Sequence, residues 1–142
     1  MDQRKLIRFQ WKAHKLIWGI SGGRLGRRVS GMPVLELVTI GRKSGLDRQV
    51  LITYVDDNGS PVLIGTNAGK DVDPAWVMNL RANPNARARW DGKWHEVTAV
   101  ELAGEDHERA WGKALAANSG FQTYKMQLTR PVPIIRLETR PI

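Results

Sequence analysis

Two short turns limit what this chain can become. Asp56-Asp57-Asn58-Gly59 and Asp91-Gly92 each sit between runs rich in apolar and β-branched residues. Asn-Gly and Asp-Gly accept the positive φ angles of a tight hairpin, and a hairpin joins antiparallel neighbours. The spacing around them predicts strands over residues 34–40, 48–55, 61–66, 86–90, 93–102 and 134–139. A helix is predicted after Asp73-Pro74, with Asp73 as N-cap and Pro74 at the first helical position, running through Trp76, Met78 and Leu80 to Asn83-Pro84. A second spans 105–117, where Glu105, Asp106 and Glu108 suit the positive end of the helix dipole. Asn118-Ser119-Gly120 ends it, and a loop carrying Phe121 and Tyr124 follows. About six short strands with two or three peripheral helices make a mainly β, α+β chain, a small antiparallel barrel with helical additions.

With 142 residues, 42% hydrophobic and 25% charged, the chain is long enough to bury one proper core. It has no cysteine, which excludes disulfides, thiol nucleophiles and thiolate metal sites. His14, His95 and His107 are scattered, so no metal site is expected. No apolar run reaches membrane-spanning length and no secretory signal is legible, which predicts a cytoplasmic protein.

The net charge of +8 is unevenly placed. Arg4, Lys5, Arg8, Lys12, Lys15, Arg24, Arg27 and Arg28 stand against Asp2 alone in the first thirty residues, leaving the remainder almost balanced. That argues against nucleic acid as partner of the body. Residues 3–20 have helical spacing, with an apolar stripe (Leu6, Phe9, Ala13, Leu16, Ile20), a cationic stripe (Arg4, Arg8, Lys12, Lys15), and Trp11 and Trp18 on a shared face. Two uses remain open: a helix capping the barrel, or an interfacial helix on anionic lipid at the inner face of the membrane. Glycines 22, 23 and 26 break it, so the chain divides into a basic segment, 1–31, and a barrel, 32–142.

Between two predicted strands lies Gly41-Arg42-Lys43-Ser44-Gly45, with Arg48 beyond. Glycines here permit positive φ and expose backbone N–H groups, while Arg42 and Arg48 suit bidentate contact with phosphate or carboxylate and Lys43 adds a point charge. A solvated hairpin tip explains the same residues. The turn joins strand to strand and lacks the Walker pattern. Gly65-Thr66-Asn67-Ala68-Gly69 is a second candidate, with small side chains that admit a flat ligand and two that direct hydrogen bonds; an ordinary strand-to-helix connection fits it too. No nucleophile or general base stands out, a silence that cofactor-borne chemistry explains.

The order L-V-T-I-G-R-K-S-G-L-D-R, followed by L-I-G-T-N-A-G-K-D-V-D-P-A-W-V-M-N-L-R-A-N-P, resembles the deazaflavin-dependent nitroreductase family. These are FMN-binding-like split β-barrel oxidoreductases, found especially in actinobacteria, that use coenzyme F420. The likeness covers about residues 32 to 139. F420 carries a phospholactyl tail ending in glutamates, and the resemblance implies that Arg42, Lys43, Ser44 and Arg48 hold that polyanion. It places Gln49, Val50, Leu51, Ile52, Thr53, Ile64, Gly65, Thr66 and Asn67 against the deazaflavin and its side chain. It closes the pocket with Ala75, Trp76, Val77, Met78 and Asn79.

The implied chemistry is hydride transfer from reduced F420 to an electrophilic carbon of an enone, quinone or unsaturated lactone; some members reduce nitro-aromatics. Thr66 and Tyr124 are the implied catalytic residues and Phe121 a substrate contact. The family's tyrosine-rich loop matches 118–124, where Asn118, Phe121 and Tyr124 leave one phenol. Thr53 replaces a strand tyrosine and Thr66 a pocket serine. The departure favours an ene- or quinone-reductase over a nitroreductase. The expected partners are a small electrophile and, because split barrels often pair, a second copy of the chain. The alternatives are an FMN-dependent split-barrel oxidoreductase and a non-enzymatic protein that binds a cofactor or a membrane.

Overall fold

The computed structural model describes residues 28–29 and 32–141. The helix predicted over 3–20, with its cationic stripe, falls outside them. Described in chain order are β1 (Arg28–Val29), β2 (Met32–Ile40), β3 (Asp47–Thr53), β4 (Val55–Asp57), β5 (Ser60–Ile64), a 3-10 turn (Asn67–Gly69), α1 (Ala75–Ala82), β6 (Asn85–Trp90), β7 (Lys93–Glu101), α2 (Gly104–Ala117), α3 (Gly120–Met126) and β8 (Ile134–Thr139).

Every strand pair is antiparallel. The order across the sheet is β3-β2-β6-β7-β8-β5-β4, and β1 also pairs with β2. β3 and β4 occupy opposite ends of that path, yet Tyr54 alone separates them in the chain. The sheet therefore curls until its ends meet at this residue. The predicted strand 48–55 is thus two strands, broken where buried Tyr54 turns the corner and its N–H donates to the Pro33 carbonyl at 3.0 Å. Both expected hairpins form, with φ of 54° and 92° at Asn58-Gly59 and 51° and 74° at Asp91-Gly92.

Alternation along the strands feeds two cores. Leu35, Leu37, Leu63, Val97, Ile135 and Leu137 point inside the curl, where Trp76, Val77 and Leu80 of α1 join them. Val62, Ile64 and Ile134 point the other way, under Ala110, Trp111 and Ala114 of α2 and Phe121 of α3. β5 is covered on both faces. The α2 helix is also tied down by charge: buried Asp57 accepts from Arg109 at 3.1 Å and Lys113 at 2.8 Å.

Two local expectations change. Asp73 does not cap α1: Pro74 is the capping residue, and the Asp73 carboxylate pairs with Arg81 at 2.6 Å and Arg130 at 2.9 Å instead. Two arginines outbid the helix amides for it. Phe121 and Tyr124, expected in a loop, lie on α3, a helix too short to be stable alone and held by the packing of Phe121.

Candidate active site

The cationic turn consumes most of its own amides. Gly41 N donates to Leu46 O at 2.8 Å and Gly45 N to Gly41 O at 2.8 Å, with Gly45 at φ 72°. Leu46 N donates to Ser44 Oγ at 3.1 Å, and Arg48 Nη2 reaches the same oxygen at 3.3 Å. The anion-binding cup of backbone N–H groups expected from the two glycines is therefore largely absent. Gly41 is needed for space instead, because a Cβ there would stand 2.6 Å from Ser44 Oγ. What the turn offers a ligand is side chains.

The two arginines of the turn differ from the other arginines of residues 32–141. Arg81, Arg87, Arg89, Arg109, Arg130, Arg136 and Arg140 each pair with a carboxylate. Exposed Arg42, Lys43 and Arg48 have no carboxylate partner among the described residues. Arg42 is instead steered by a neutral group: the Asn79 side-chain oxygen accepts from Arg42 N at 3.2 Å and Nη1 at 3.1 Å. Asn79 is buried, and its Nδ2 donates to Thr39 Oγ1 at 3.1 Å. A residue expected to touch the ligand thus sits behind the turn and aims a cation.

Strand β3 divides its expected contacts between two faces. Arg48, Val50 and Ile52 oppose Thr39, Leu37 and Leu35 of β2, on the side of the inner core and α1. Gln49, Leu51 and Thr53 share the other face with Glu36, to which Gln49 donates and which Arg89 grips at 2.7 Å. A single flat ligand on the sheet meets the first set or the second. The first set shares its face with the turn's Arg48 and contains that strand's half-buried apolar residues.

The loop after β5 is drawn against the chain after α3. Gly65 N donates to Pro133 O at 2.8 Å, and a Cβ on Gly65 would lie 2.7 Å from Pro133 Cγ. Gly69 meets Gln127 and Tyr124: a Cβ there would fall 2.1 Å from Gln127 Oε1 and 3.5 Å from Tyr124 Cδ1. The structure so brings half-buried Tyr124 beside the loop that begins at Thr66. Phe121 does not join it. It is 7% exposed and packs in the outer core, tilted against Trp111 at a ring separation of 6.4 Å. Ile64, Trp76 and Val77 are likewise core residues, whereas Met78 is half-buried and Ala75 open.

One residue escaped sequence reading. Arg130 donates to Gly65 O at 3.1 Å, Thr66 O at 3.1 Å and Lys70 O at 3.0 Å, besides Asp73. Nothing near Arg130 in sequence signals this, since its partners lie about sixty residues away. Among the described residues, His107 Nδ1 lies 3.5 Å from the exposed Glu108 carboxylate. His95 stacks on Trp90 at 3.7 Å and burial pushes its pKa down, while His107 bonds the Val132 carbonyl. Among the described residues no group of His, Asp and Glu is placed to hold a metal, and no helix is long and apolar enough to cross a membrane.

Comparison with known proteins bears on this arrangement. Residues 11–139 match the family described as F420H(2)-dependent quinone reductase. An F420H(2)-dependent quinone reductase of Mycobacterium tuberculosis is 30% identical over 133 residues, which cover 91% of this chain and 89% of the relative. The solved structure of an F420-H2 dependent reductase, FDR-A, matches with a TM-score of 0.69 at 31% identity, over 75% of this chain and 94% of its own. A further structure, described as a domain-swapped dimer, matches with a TM-score of 0.71 at 28% identity, over 92% of this chain and 99% of its own.

Proposed function

The chain belongs to the F420H(2)-dependent quinone reductase family, and from that premise we propose that its cationic turn holds the F420 tail while β3, the 65–70 loop and Tyr124 enclose the reacting ring and a quinone. It is an F420-dependent oxidoreductase with a split-barrel fold, and reduced coenzyme F420 is its hydride donor. The observation that carries the residue assignment is the contrast among the arginines of residues 32–141: the seven others are paired with carboxylates, while Arg42 and Arg48 are open beside Lys43. A polyanionic tail is the complement such a cluster lacks, and arginine's planar fork suits both its phosphate and its carboxylates.

When bound, the deazaflavin supplies the hydride. The chain's own residues bind and orient. Arg48 and Lys43 fix the tail, Arg42 is aimed by Asn79, and Val50 and Ile52 offer an apolar strand surface to the ring. On this reading Tyr124 donates its phenolic proton to the substrate oxygen, while Thr66, the second residue assigned to the reaction, is only 4% exposed. Enones and unsaturated lactones carry the same electrophilic carbon and are accepted on this account; nitro-aromatics are poor substrates. A second copy of the chain completes a homodimer.

An anaerobic assay that follows F420H2 oxidation tests the substrate reading. Turnover with a menadione-type quinone at least tenfold faster than with a nitro-aromatic is expected. A preference for the nitro-aromatic contradicts it.

A further inference from the structure

We propose that Arg130 is the positioning residue of this site, holding the 65–70 loop in the one shape that lets Thr66 and Asn67 meet the deazaflavin; the inference rests on the function proposed above. The loop is ill suited to keep that shape unaided. Asn67 and Ala68 stand consecutively at φ 52° and 54°, a left-handed conformation that asparagine tolerates and alanine avoids. Backbone of this kind persists where its surroundings over-determine it. The loop's own contribution is slight: Gly69 N to Thr66 O at 3.1 Å, Lys70 N to Asn67 O at 3.1 Å and Asn67 Nδ2 to Val72 O at 3.1 Å.

Outside it, Gly65 N donates to Pro133 O at 2.8 Å and Thr129 donates to the Asp71 carboxylate at the loop's far end, but among the described residues only Arg130 reaches both sides of the strained pair. Its two terminal nitrogens reach three carbonyls that bracket the strained pair: those of Gly65 and Thr66 on one side and that of Lys70 on the other. One of those nitrogens also holds Asp73 at 2.9 Å, Asp73 holds Arg81, and Arg81 meets both oxygens of Glu101 at 2.8 Å. The loop is thereby tied to α1 and to β7. The Arg130 side chain is 14% exposed, so these bonds form largely out of bulk water, where they are stronger. A lysine, a point charge without a fork, cannot span the same acceptors. Because its charge is spent on Asp73 and carbonyls, Arg130 does not serve as a tail cation, unlike Arg48.

The test compares wild type, Arg130→Lys and Arg130→Met. Amide hydrogen exchange of the free proteins is read at residues 66–72, with β6 and β7 as internal controls. F420 affinity and kcat with F420H2 and menadione are measured alongside. Exchange at 66–72 should rise at least tenfold in both variants with the control strands unchanged, kcat should fall at least tenfold, and the F420 Kd should move less than threefold. Wild-type exchange at 66–72 in both variants overturns the proposal. So does a loss of F420 affinity equal to that of Arg48→Ala, which makes Arg130 a tail ligand. If Arg130→Met fails to fold, Arg130→Lys decides alone. Failure of the wild-type protein to bind F420 overturns the function proposed above, and the exchange comparison then decides the clamp by itself.

Discussion

Arg42 and Asn79, thirty-seven residues apart, are joined twice through one oxygen: Asn79 Oδ1 accepts both the Arg42 backbone N–H and its guanidinium. The arrangement makes a helix residue part of the cationic turn without exposing it. Asn79→Ala leaves Thr39 Oγ1 without its amide donor and Arg42 unsteered. Stability should fall by about 1–3 kcal/mol in denaturant titrations. F420 affinity should fall about tenfold, or about 1.4 kcal/mol, while an unchanged Kd removes Asn79 from the account of the tail site.

Tyr124 lies beside the loop that begins at Thr66, on a helix that the buried side chain of Phe121 anchors. If its phenol donates to the substrate oxygen, Tyr124→Phe costs about 100-fold in kcat for quinone and leaves the F420 Kd within twofold. A loss confined to KM would assign the ring to binding alone.

Phe121→Ala tests the opposite role for its neighbour. Emptying a site packed on Trp111 should cost about 3–5 kcal/mol of stability and lower the melting temperature. The quinone KM, measured at a temperature where the variant is folded, should stay within threefold. A large rise in KM with stability intact restores Phe121 as a substrate contact.

Hydrogen bonds from Lys113 and Arg109 hold the Asp57 carboxyl below its ordinary value of 3.8, against the opposing effect of burial. A depressed carboxylate stabilises the fold above its unfolded pKa, and that contribution disappears as pH falls through the lower folded value. Wild-type melting temperature should therefore drop across the acid range beginning near pH 4. Asp57→Asn should be less stable at pH 7, by about 1–3 kcal/mol, and should show a shallower acid limb. Parallel curves for the two proteins would show that Asp57 does not couple α2 to the β4–β5 hairpin.

Local chemistry was what the sequence made legible. Asn58-Gly59 and Asp91-Gly92 have the φ angles their residue types favour, and α1 starts and stops within a residue or two of Pro74 and Asn83. The cationic turn was visible for the same reason: its residues are contiguous. Non-local choices were hidden. Nothing in an unbroken β-like run marks Tyr54 as the corner that closes the sheet, because closure depends on β5 and β8 pairing elsewhere. Asp73 has the right type and position for a cap, but Arg81 and Arg130 claim it. Helix α3 follows a strong turn signal and forms because Phe121 finds Trp111. Arg130 was illegible for the plainest reason: its acceptors are backbone carbonyls, which carry no sequence signature.

The central claim, that Arg42, Lys43 and Arg48 read a polyanionic tail, is tested most directly by fluorescence titration of the purified protein with F420 and with the same deazaflavin lacking its phospholactyl-glutamate tail. The account predicts that F420 binds at least about 100-fold more tightly, near 2.7 kcal/mol. It also predicts that Arg48→Ala and added salt each narrow the gap, as screening of exposed charges requires. Equal affinity for the two ligands, unmoved by salt, would contradict it.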